Sequence, residues 1–340
     1  MSEQTDPPVQ NLGDALGRSM NYLRLSVTDR CNLRCSYCQS NAVHEYIPHE
    51  KILHYEEMLR LVRIVQPLGI EKVRLTGGEP FVRKGCDNFL WMLRQNFPSL
   101  DIRITSNGTL LEEHVGLLKR IEVGAVNLSI DSFDNETFAA VTGRHLLPRV
   151  LTSMDKLLAE KIPVKINAVA LRGITEREID NFLAVATMYD VDVRFIEFMP
   201  MGSDTLWNAS RFCPVSELLA LISQRVKLRP SNGCARTGGP ARMFSIVGKK
   251  GRIGVISPLS NHFCHTCNRL RLTSEGSLRL CLFDDQEYAL RPLLRDPAVS
   301  DQEIASYLRR LTQQKPLGYD LLRARKGTAV ARRVMSGIGG

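Results

Sequence analysis

Short runs of β-branched and other apolar residues alternate with longer amphipathic stretches up to about residue 200. The short runs predict strands, and the longer stretches, with apolar residues at every third or fourth position, predict helices. Regular alternation of the two favours βαβ units and a parallel sheet. The predicted strands are Tyr22–Val27, Lys72–Thr76, Asp101–Thr105, Ala125–Ile130, Pro163–Leu171 and Asp192–Met199. The predicted helices include Tyr55–Val65, Leu110–Ile121, Leu147–Glu160 and Thr175–Met188.

Six strand–helix units predict an α/β fold built on a partial (β/α)6 barrel of parallel strands. Thr175, followed three positions later by Glu178, predicts a capping box at the start of the last helix.

The pattern changes from about Asn208, where a helix over Pro214–Gln224 gives way to a Gly-, Pro- and Asn-containing linker over Arg229–Pro240. Short strands are predicted at Met243–Val247 and Ile253–Ile256, and a hairpin over Leu270–Leu282 that turns at Glu275-Gly276. The chain is therefore expected to divide into an N-terminal extension (1–20), the barrel (21–228) and a smaller C-terminal α+β domain (229–340).

Five successive predicted strands carry a polar residue at every second position, beginning with Arg24 and Ser26 between Leu23, Leu25 and Val27. The lumen of a closed barrel is normally packed with branched apolar side chains. A polar inner face therefore predicts a wet cavity that holds a polar ligand. An antiparallel sheet with one face in solvent is the alternative, which the intervening helices disfavour. The other polar positions are Thr28, Arg74, Thr76, Arg103, Thr105, Asn127, Ser129, Asp131, Lys165 and Asn167.

Six of the nine cysteines fall into two tight groups, which favours metal binding over disulfides. The first group, Cys31, Cys35 and Cys38, has C-x₃-C-x₂-C spacing directly after the first strand. Three thiolates can bind three irons of a cubane cluster and leave the fourth iron open. A zinc knuckle is the alternative, but a structural zinc site normally has four protein ligands. The spacing therefore predicts a catalytic iron–sulfur cluster.

The second group, Cys264, Cys267 and Cys281, again supplies three thiols without a fourth cysteine at an obvious spacing. It predicts a second open cluster in the C-terminal domain. A zinc site completed by His262 or His265 is the alternative. Cys86, Cys213 and Cys234 stand alone and are expected to be structural or incidental.

Thr76-Gly77-Gly78-Glu79-Pro80 follows the second strand, as the first cysteine group follows the first strand. Both segments therefore lie at the carboxyl ends of strands, where barrel enzymes hold their active sites. The glycines would allow close approach of a ligand to the backbone, and Glu79 would offer an acceptor to an ammonium or hydroxyl group.

A net charge of +9 implies attraction to anions, and much of the excess lies in the last segment. Nucleic-acid binding would require interleaved aromatic residues, and that segment offers little beyond Tyr307 and Tyr319. A phosphorylated small molecule is the better-supported partner, with a solvated basic surface as the alternative. The sequence shows neither an apolar N-terminal leader nor a stretch that would span a membrane, so a soluble, cytoplasmic protein without membrane or nucleic-acid partners is expected.

The two cysteine groups with the Gly-Gly-Glu segment between them resemble the radical S-adenosylmethionine (SAM) superfamily. More narrowly, the chain resembles the GTP 3′,8-cyclases of molybdenum cofactor biosynthesis. The resemblance covers nearly the whole chain from about Leu12. Further segments that match the family are residues 23–32 (LRLSVTDRCN), 194–199 (RFIEFM) and 267–271 (CNRLR), and the final Gly339-Gly340.

This resemblance implies two 4Fe–4S clusters, one bound by each cysteine group, and SAM on the open iron of the first. One-electron cleavage of SAM would give a 5′-deoxyadenosyl radical that abstracts the ribose 3′ hydrogen of GTP. The sugar radical would then attack guanine carbon 8 to give 3′,8-cyclo-7,8-dihydro-GTP. Implied SAM contacts are Tyr37, Gly78, Ser129, Met199 and, with a role towards SAM or substrate left open, Arg194. Implied GTP contacts are Arg24, Arg74, Thr105, Lys165, Arg269, Arg271, Gly339 and Gly340, of which Arg269 and Arg271 would also act in catalysis.

The resemblance further implies a flavodoxin- or ferredoxin-like electron donor, a homodimer, and transfer of the product to cyclic pyranopterin monophosphate synthase. The chain departs from the family in reading Gln39-Ser40-Asn41 after Cys38, where Met-Pro is commoner, so altered loop packing is expected there. Two alternatives stay open. One is a radical SAM enzyme with an auxiliary cluster that acts on a peptide or another nucleotide, and the other is a zinc-stabilised or electron-transfer module.

Overall fold

A computed structural model describes residues 11–38, 46–202, 207–231, 239–324, 331, 333 and 335–339. The strands are β1 (Tyr22–Ser26), β2 (Lys72–Thr76), β3 (Asp101–Ser106), β4 (Ala125–Ser129), β5 (Val164–Ala170), β6 (Asp192–Glu197), β7 (Leu228–Pro230), β8 (Arg242–Ile246), β9 (Arg252–Ile256), β10 (Arg269–Leu272), β11 (Ser277–Arg279) and β12 (Tyr288–Ala289).

The helices are α1 (Tyr55–Val65), α2 (Cys86–Asn96), α3 (Val115–Arg120), α4 (Asn135–Thr142), α5 (Leu147–Ala159), α6 (Thr175–Met188), α7 (Val215–Ser223), α8 (Arg291–Arg295), α9 (Asp301–Thr312), α10 (Gly318–Ala324) and α11 (Met335–Ile338). In the described part of the chain, none of them combines the length and apolarity that crossing a bilayer requires.

The predicted alternation is confirmed, because β1 to β6 pair in sequence order as parallel neighbours with helices between them. The apolar residues of each strand point to one face and pack against helices such as α1 and α2. Leu25, Leu75, Ile104 and Leu128 are completely buried there. The other face carries the polar residues and lines the cavity described below, as the alternation predicts.

The C-terminal region extends the barrel sheet at both edges. The hairpin of β8 and β9 joins through β9 beside β6, and the run β10 to β12 joins through β10 beside β1. The full order is β12-β11-β10-β1-β2-β3-β4-β5-β6-β9-β8-β7, so the described sheet stays open between β12 and β7. The predicted hairpin is confirmed as the antiparallel pair β10 and β11. This placement brings the second cysteine group beside the first strand of the barrel.

Local differences from the predicted elements have physical causes. The Thr175–Glu178 capping box is wrong: the Thr175 hydroxyl accepts from Leu171 N (2.9 Å), while Glu178 Oε2 accepts from Phe133 N (3.0 Å). The predicted helix 110–121 is instead a 3₁₀ turn over 111–114 followed by α3. The short helix α4, which the sequence pattern did not reveal, starts at an Asp134 N-cap that accepts from Thr137 N (2.8 Å).

Candidate active site

One cavity of about 360 Å³ lies against the polar face of the sheet and collects nearly all the predicted site residues. Both cysteine groups line it, and so do the positions expected to contact SAM and the positions on the strands expected to contact GTP. The predicted residues that line it are Arg24, Cys31, Cys35, Tyr37, Cys38, Arg74, Gly78, Thr105, Ser129, Lys165, Arg194, Met199, Cys264, Cys267, Arg269, Arg271 and Cys281. The fold therefore brings together groups as far apart in the chain as Arg24 and Cys281.

The first cysteine group follows β1 and receives hydrogen bonds from its surroundings. Cys31 Sγ accepts from the backbone N–H of Leu33 (3.4 Å) and from the amide of Asn107 (3.6 Å). Burial, together with the neighbouring Cys31, raises the pKa of Cys38 to about 12, and burial raises the pKa of Cys35 well above its usual value. Binding of iron by these thiols must therefore displace protons. Tyr37 donates to Asp131 Oδ2 (2.7 Å), which fixes its ring at the cavity wall.

The Gly-Gly-Glu segment after β2 packs against the segment that leads into the first cysteine group. Its glutamate does not have the role that the sequence suggested. A Cβ at Gly77 would lie 2.4 Å from Thr28 O, and one at Gly78 would lie 2.3 Å from Arg30 O. The glycines therefore allow close approach of the segment that leads into Cys31. The interpretation of Glu79 as a ligand acceptor is wrong, because its carboxylate is completely buried and accepts from Ser106 Oγ, Asn107 N and Phe81 N at 2.7–3.3 Å.

In the second cysteine group, Cys264 and Cys267 lie just before β10, and Cys281 lies just after β11. The start of α10 lies beside Cys264 and Cys281. Although burial raises the pKa of Cys267, the charges of Arg269 and Lys315 outweigh it and lower that pKa to about 6. The Arg269 guanidinium donates to Cys267 Sγ (3.6 Å). A Cβ at Gly318 would lie 2.9 Å from Cys281 Sγ and 3.6 Å from Cys264 Sγ, so only a residue without a side chain leaves that space open.

The two groups fit sulfur-ligated clusters. All six thiols are free, and each group carries at least one sulfur that accepts a hydrogen bond, as cysteine ligands of iron–sulfur clusters commonly do. Among the described residues, no three His, Cys, Asp or Glu side chains form a group that could hold a metal ion. Cubane ligands bind three different irons and therefore lie further apart than ligands of a single ion. Of the two histidines proposed for zinc, His262 contacts Pro258 O through Nδ1 (2.7 Å), and both rings lie against Tyr319.

Four arginines stand side by side across the middle of the sheet. The strand register pairs Arg271 of β10 with Arg24 of β1, Arg24 with Arg74 of β2, and Arg74 with Arg103 of β3. Burial and the charge of Arg74 lower the pKa of Arg24 to about 10, and burial with the charge of Arg24 lowers that of Arg271 well below its usual value. Burial and mutual repulsion destabilise their charged forms, so an anion beside them would bind favourably.

A second basic group lies on β5, β6 and β9. Lys165 Nζ lies 3.5 Å from Asp192 Oδ2, and Arg252 Nε lies 2.7 Å from Asp192 Oδ1. Burial, with the charge of Arg194, lowers the pKa of Lys165 to about 8. Arg194 is 8% exposed, and two of its guanidinium nitrogens have no hydrogen-bond partner. Buried donors of this kind point to a ligand that satisfies them.

The C-terminal segment returns to the cavity. Gly339 O accepts from Arg24 Nε (3.4 Å) and from the Arg271 guanidinium (3.3 Å). Arg333, six residues earlier, makes ion pairs with Glu287 (2.7 Å) and Glu275. Gly340 and the Gln39-Ser40-Asn41 departure lie outside the described residues, so their predicted roles stay predictions.

The cavity also contains residues that were not expected to contact the ligand. Arg103, Asn127 and Asn167 were among the predicted polar positions, whereas Tyr22, Lys72, Asp192 and Arg252 were not. Tyr22 and Lys72 lie two residues before Arg24 and Arg74 on the same strands, so the strand period could have found them. Among the described residues, the cavity wall carries nine Lys and Arg side chains against two acidic ones, Asp192 and Glu197.

The chain matches two protein-family models. The model described as Radical SAM superfamily matches residues 25–186, and the model described as Molybdenum Cofactor Synthesis C matches residues 191–321. A solved structure with a similar fold is that of Streptococcus suis SuiB bound to S-adenosylmethionine, with a TM-score of 0.62 and 14% identity. That similarity covers 94% of this chain and 77% of SuiB, and it confirms the fold.

Similar full-length sequences are GTP 3′,8-cyclases. The one from Syntrophomonas wolfei subsp. wolfei is 44% identical over 288 residues, 84% of this chain and 88% of the relative. Those from Petrotoga mobilis and Listeria monocytogenes are 38% and 35% identical and cover 96% and 98% of this chain and 99% and 100% of the relatives. The chain therefore belongs to the GTP 3′,8-cyclase family, the radical SAM cyclases of molybdenum cofactor synthesis.

Proposed function

We propose that this chain converts GTP to (8S)-3′,8-cyclo-7,8-dihydroguanosine 5′-triphosphate in the cavity between its two cysteine groups. One observation carries the proposal: the same cavity is lined by the cysteine triplet that follows β1, by the second triplet, which flanks the hairpin of β10 and β11, and by nine basic residues on the strands of the sheet. An iron–sulfur cluster and SAM follow from membership of the radical SAM superfamily.

The first triplet, Cys31, Cys35 and Cys38, would hold the cluster that binds SAM. When bound, the cluster and SAM supply a 5′-deoxyadenosyl radical by one-electron cleavage of SAM. The chain contributes a wall of fixed polar groups beside it, since Tyr37 is held by Asp131 and Gly78 is held against Thr28. We assign SAM binding to Tyr37, Gly78, Ser129, Arg194 and Met199, which all line the cavity.

The basic residues would hold GTP. Its triphosphate carries about four negative charges, which the surplus of Lys and Arg side chains lining the cavity complements. We assign this role to Arg24, Arg74, Thr105, Lys165, Arg269, Arg271, Gly339 and Gly340. Binding of the anion would relieve the repulsion among Arg271, Arg24 and Arg74, whose register makes them direct neighbours.

The second triplet, Cys264, Cys267 and Cys281, would hold a second 4Fe–4S cluster at the substrate end. Arg269 links the two roles, because its guanidinium contacts Cys267 Sγ while its strand neighbour Arg271 belongs to the arginine row. Arg269 and Arg271 are accordingly assigned to catalysis as positively charged groups that hold the substrate against this end.

The same proposal includes a flavodoxin- or ferredoxin-like reductant, a homodimeric state, a cytoplasmic location, and delivery of the product to cyclic pyranopterin monophosphate synthase. The reductant is required because cleavage of SAM would consume one electron, and the radical formed by attack on carbon 8 would take up a second electron and a proton to give the dihydro product.

Anaerobic reconstitution followed by turnover tests the function. The wild type should bind about eight irons per chain and give 5′-deoxyadenosine together with the cyclised nucleotide. Replacing Cys264, Cys267 and Cys281 by Ala should leave about four irons and abolish the cyclised product. Cys213→Ala is the matched control, because that buried thiol lies outside the cavity and contacts Glu176. Formation of 5′-deoxyadenosine from wild type without cyclised GTP would refute the proposal, and about four irons in wild type would refute the second cluster.

A further inference from the structure

The arginine row poses an electrostatic problem, because four like charges lie side by side. Arg271, Arg24, Arg74 and Arg103 occupy consecutive register positions on parallel strands, which lie about 4.8 Å apart. Like charges that face each other across a sheet destabilise it and drive side chains apart. Arg103 is paired with Asp101 (2.8 Å). Of the two acids that line the cavity among the described residues, Asp192 is engaged by Lys165 and Arg252, and Glu197 accepts from the backbone N–H groups of Leu259 and Ser260.

Tyr22 lies beside the middle of the row. It precedes Arg24 by two residues on β1 and therefore points to the same face of the sheet. Its hydroxyl accepts a hydrogen bond from Arg74 Nε (2.5 Å), and Arg24 stands next to Arg74 in the strand register. The residue is 6% exposed and lines the cavity, so the hydroxyl bonds to Arg74 in surroundings largely shielded from water.

The remaining contacts of Arg74 complete one defined orientation. Its guanidinium donates to Ile104 O (2.9 Å) and to the Thr105 hydroxyl (3.4 Å), both on β3. The tyrosine thus holds the guanidinium from the β1 side while β3 holds it from the other. A planar guanidinium fixed in this way can present a donor edge of set direction to a phosphate.

We propose that Tyr22 is a positioning residue for substrate: its hydroxyl holds Arg74, beside Arg24, in the orientation that receives the polyphosphate of the nucleotide. This inference rests on the proposed function for the identity of the nucleotide. It concerns binding of the anion, so removal of the hydroxyl should weaken GTP affinity and leave the chemical steps nearly unchanged.

The test is Tyr22→Phe, which removes the hydroxyl and keeps the ring. We expect the dissociation constant for GTP, measured by calorimetry on the reconstituted protein without reductant, to rise about tenfold, and KM to rise with it. The rate constant kcat should change by less than about twofold, because the lost contact acts equally before and during the reaction. Inorganic tripolyphosphate, used as a probe, should lose affinity by a similar factor. Tyr288→Phe is the matched control, since Tyr288 contacts Gln314 outside the cavity and should bind both ligands like wild type.

A double-mutant cycle separates positioning from a general structural effect. If Tyr22 acts through Arg74, Tyr22→Phe should have almost no further effect on GTP affinity in an Arg74→Ala background. Unchanged affinity in Tyr22→Phe, fully additive losses in the double variant, or a loss of kcat at constant KM would each overturn the proposal. Failure of wild type to cyclise GTP would instead refute the proposed function, while tripolyphosphate binding would still test the role of Tyr22.

Discussion

The pKa of Lys165 makes the affinity of the cavity for its anionic ligand depend on pH. Burial, with the charges of Arg194 and Arg103, lowers this pKa from 10.5 to about 8, although Asp192 opposes the shift. The ammonium form, which attracts phosphate, is therefore present below about pH 8 and is lost as the pH rises through that value. GTP affinity should accordingly fall in alkaline solution.

The size of the effect follows from linkage. If a bound polyanion restores the pKa to 10.5, affinity falls tenfold for each pH unit between about 8 and 10.5. Between pH 7 and 9.5 the expected loss is about 30-fold. If the bound polyanion restores the pKa of Lys165 only in part, the loss of GTP affinity is smaller but has the same direction.

Calorimetric titration of unreduced protein with GTP over pH 6.5–9.5 measures this dependence. Lys165→Arg is the matched variant, because a guanidinium keeps its charge throughout the range and should remove most of the loss. Ionisation of GTP itself affects both proteins equally and cancels in the comparison. A dissociation constant that changes identically with pH in wild type and Lys165→Arg would refute the reasoning.

Three substitutions test other parts of the account. Gly78→Ala would place a Cβ 2.3 Å from Arg30 O, so iron bound by the first triplet and the SAM cleavage that depends on it should drop severalfold, as measured by iron content and 5′-deoxyadenosine yield. Gly318→Ala would place a Cβ 2.9 Å from Cys281 Sγ, so the iron content should fall from about eight towards about four while SAM cleavage persists. Leu25→Ala removes a completely buried side chain and should lower the free energy of unfolding in urea by about 2–5 kcal/mol. Wild-type iron content in either glycine variant, or an unchanged unfolding midpoint in Leu25→Ala, would contradict the respective packing argument.

The barrel could be predicted because its signals are local. Strand β2 and helices α1 and α6 begin and end at the predicted residues, since their apolar periods are long and uninterrupted. The polar strand face was equally visible, because alternation depends on the backbone pleat alone. The same period marks Lys72 and Arg103, which the sequence reasoning did not assign to the ligand.

Contacts between residues far apart in the chain were harder to predict from the sequence. Nothing near Arg269 in the chain indicates that β10 pairs with β1, and this pairing is what aligns Arg271 with Arg24. The capping box failed for a related reason: Glu178 is drawn to the backbone N–H of Phe133, 45 residues earlier, and leaves its own helix start. Glu79 likewise turns inward to Ser106 and Asn107, because buried backbone donors compete with any ligand for its carboxylate.

Deuterium transfer from GTP labelled at the ribose 3′ carbon tests the central claim most directly. The reduced, reconstituted protein is incubated with SAM and the labelled GTP. The deuterium content of the recovered 5′-deoxyadenosine is then measured by mass spectrometry. Abstraction of the 3′ hydrogen predicts one deuterium in 5′-deoxyadenosine and none at the 3′ carbon of the cyclised product. Unlabelled 5′-deoxyadenosine alongside GTP that keeps its deuterium would contradict the account.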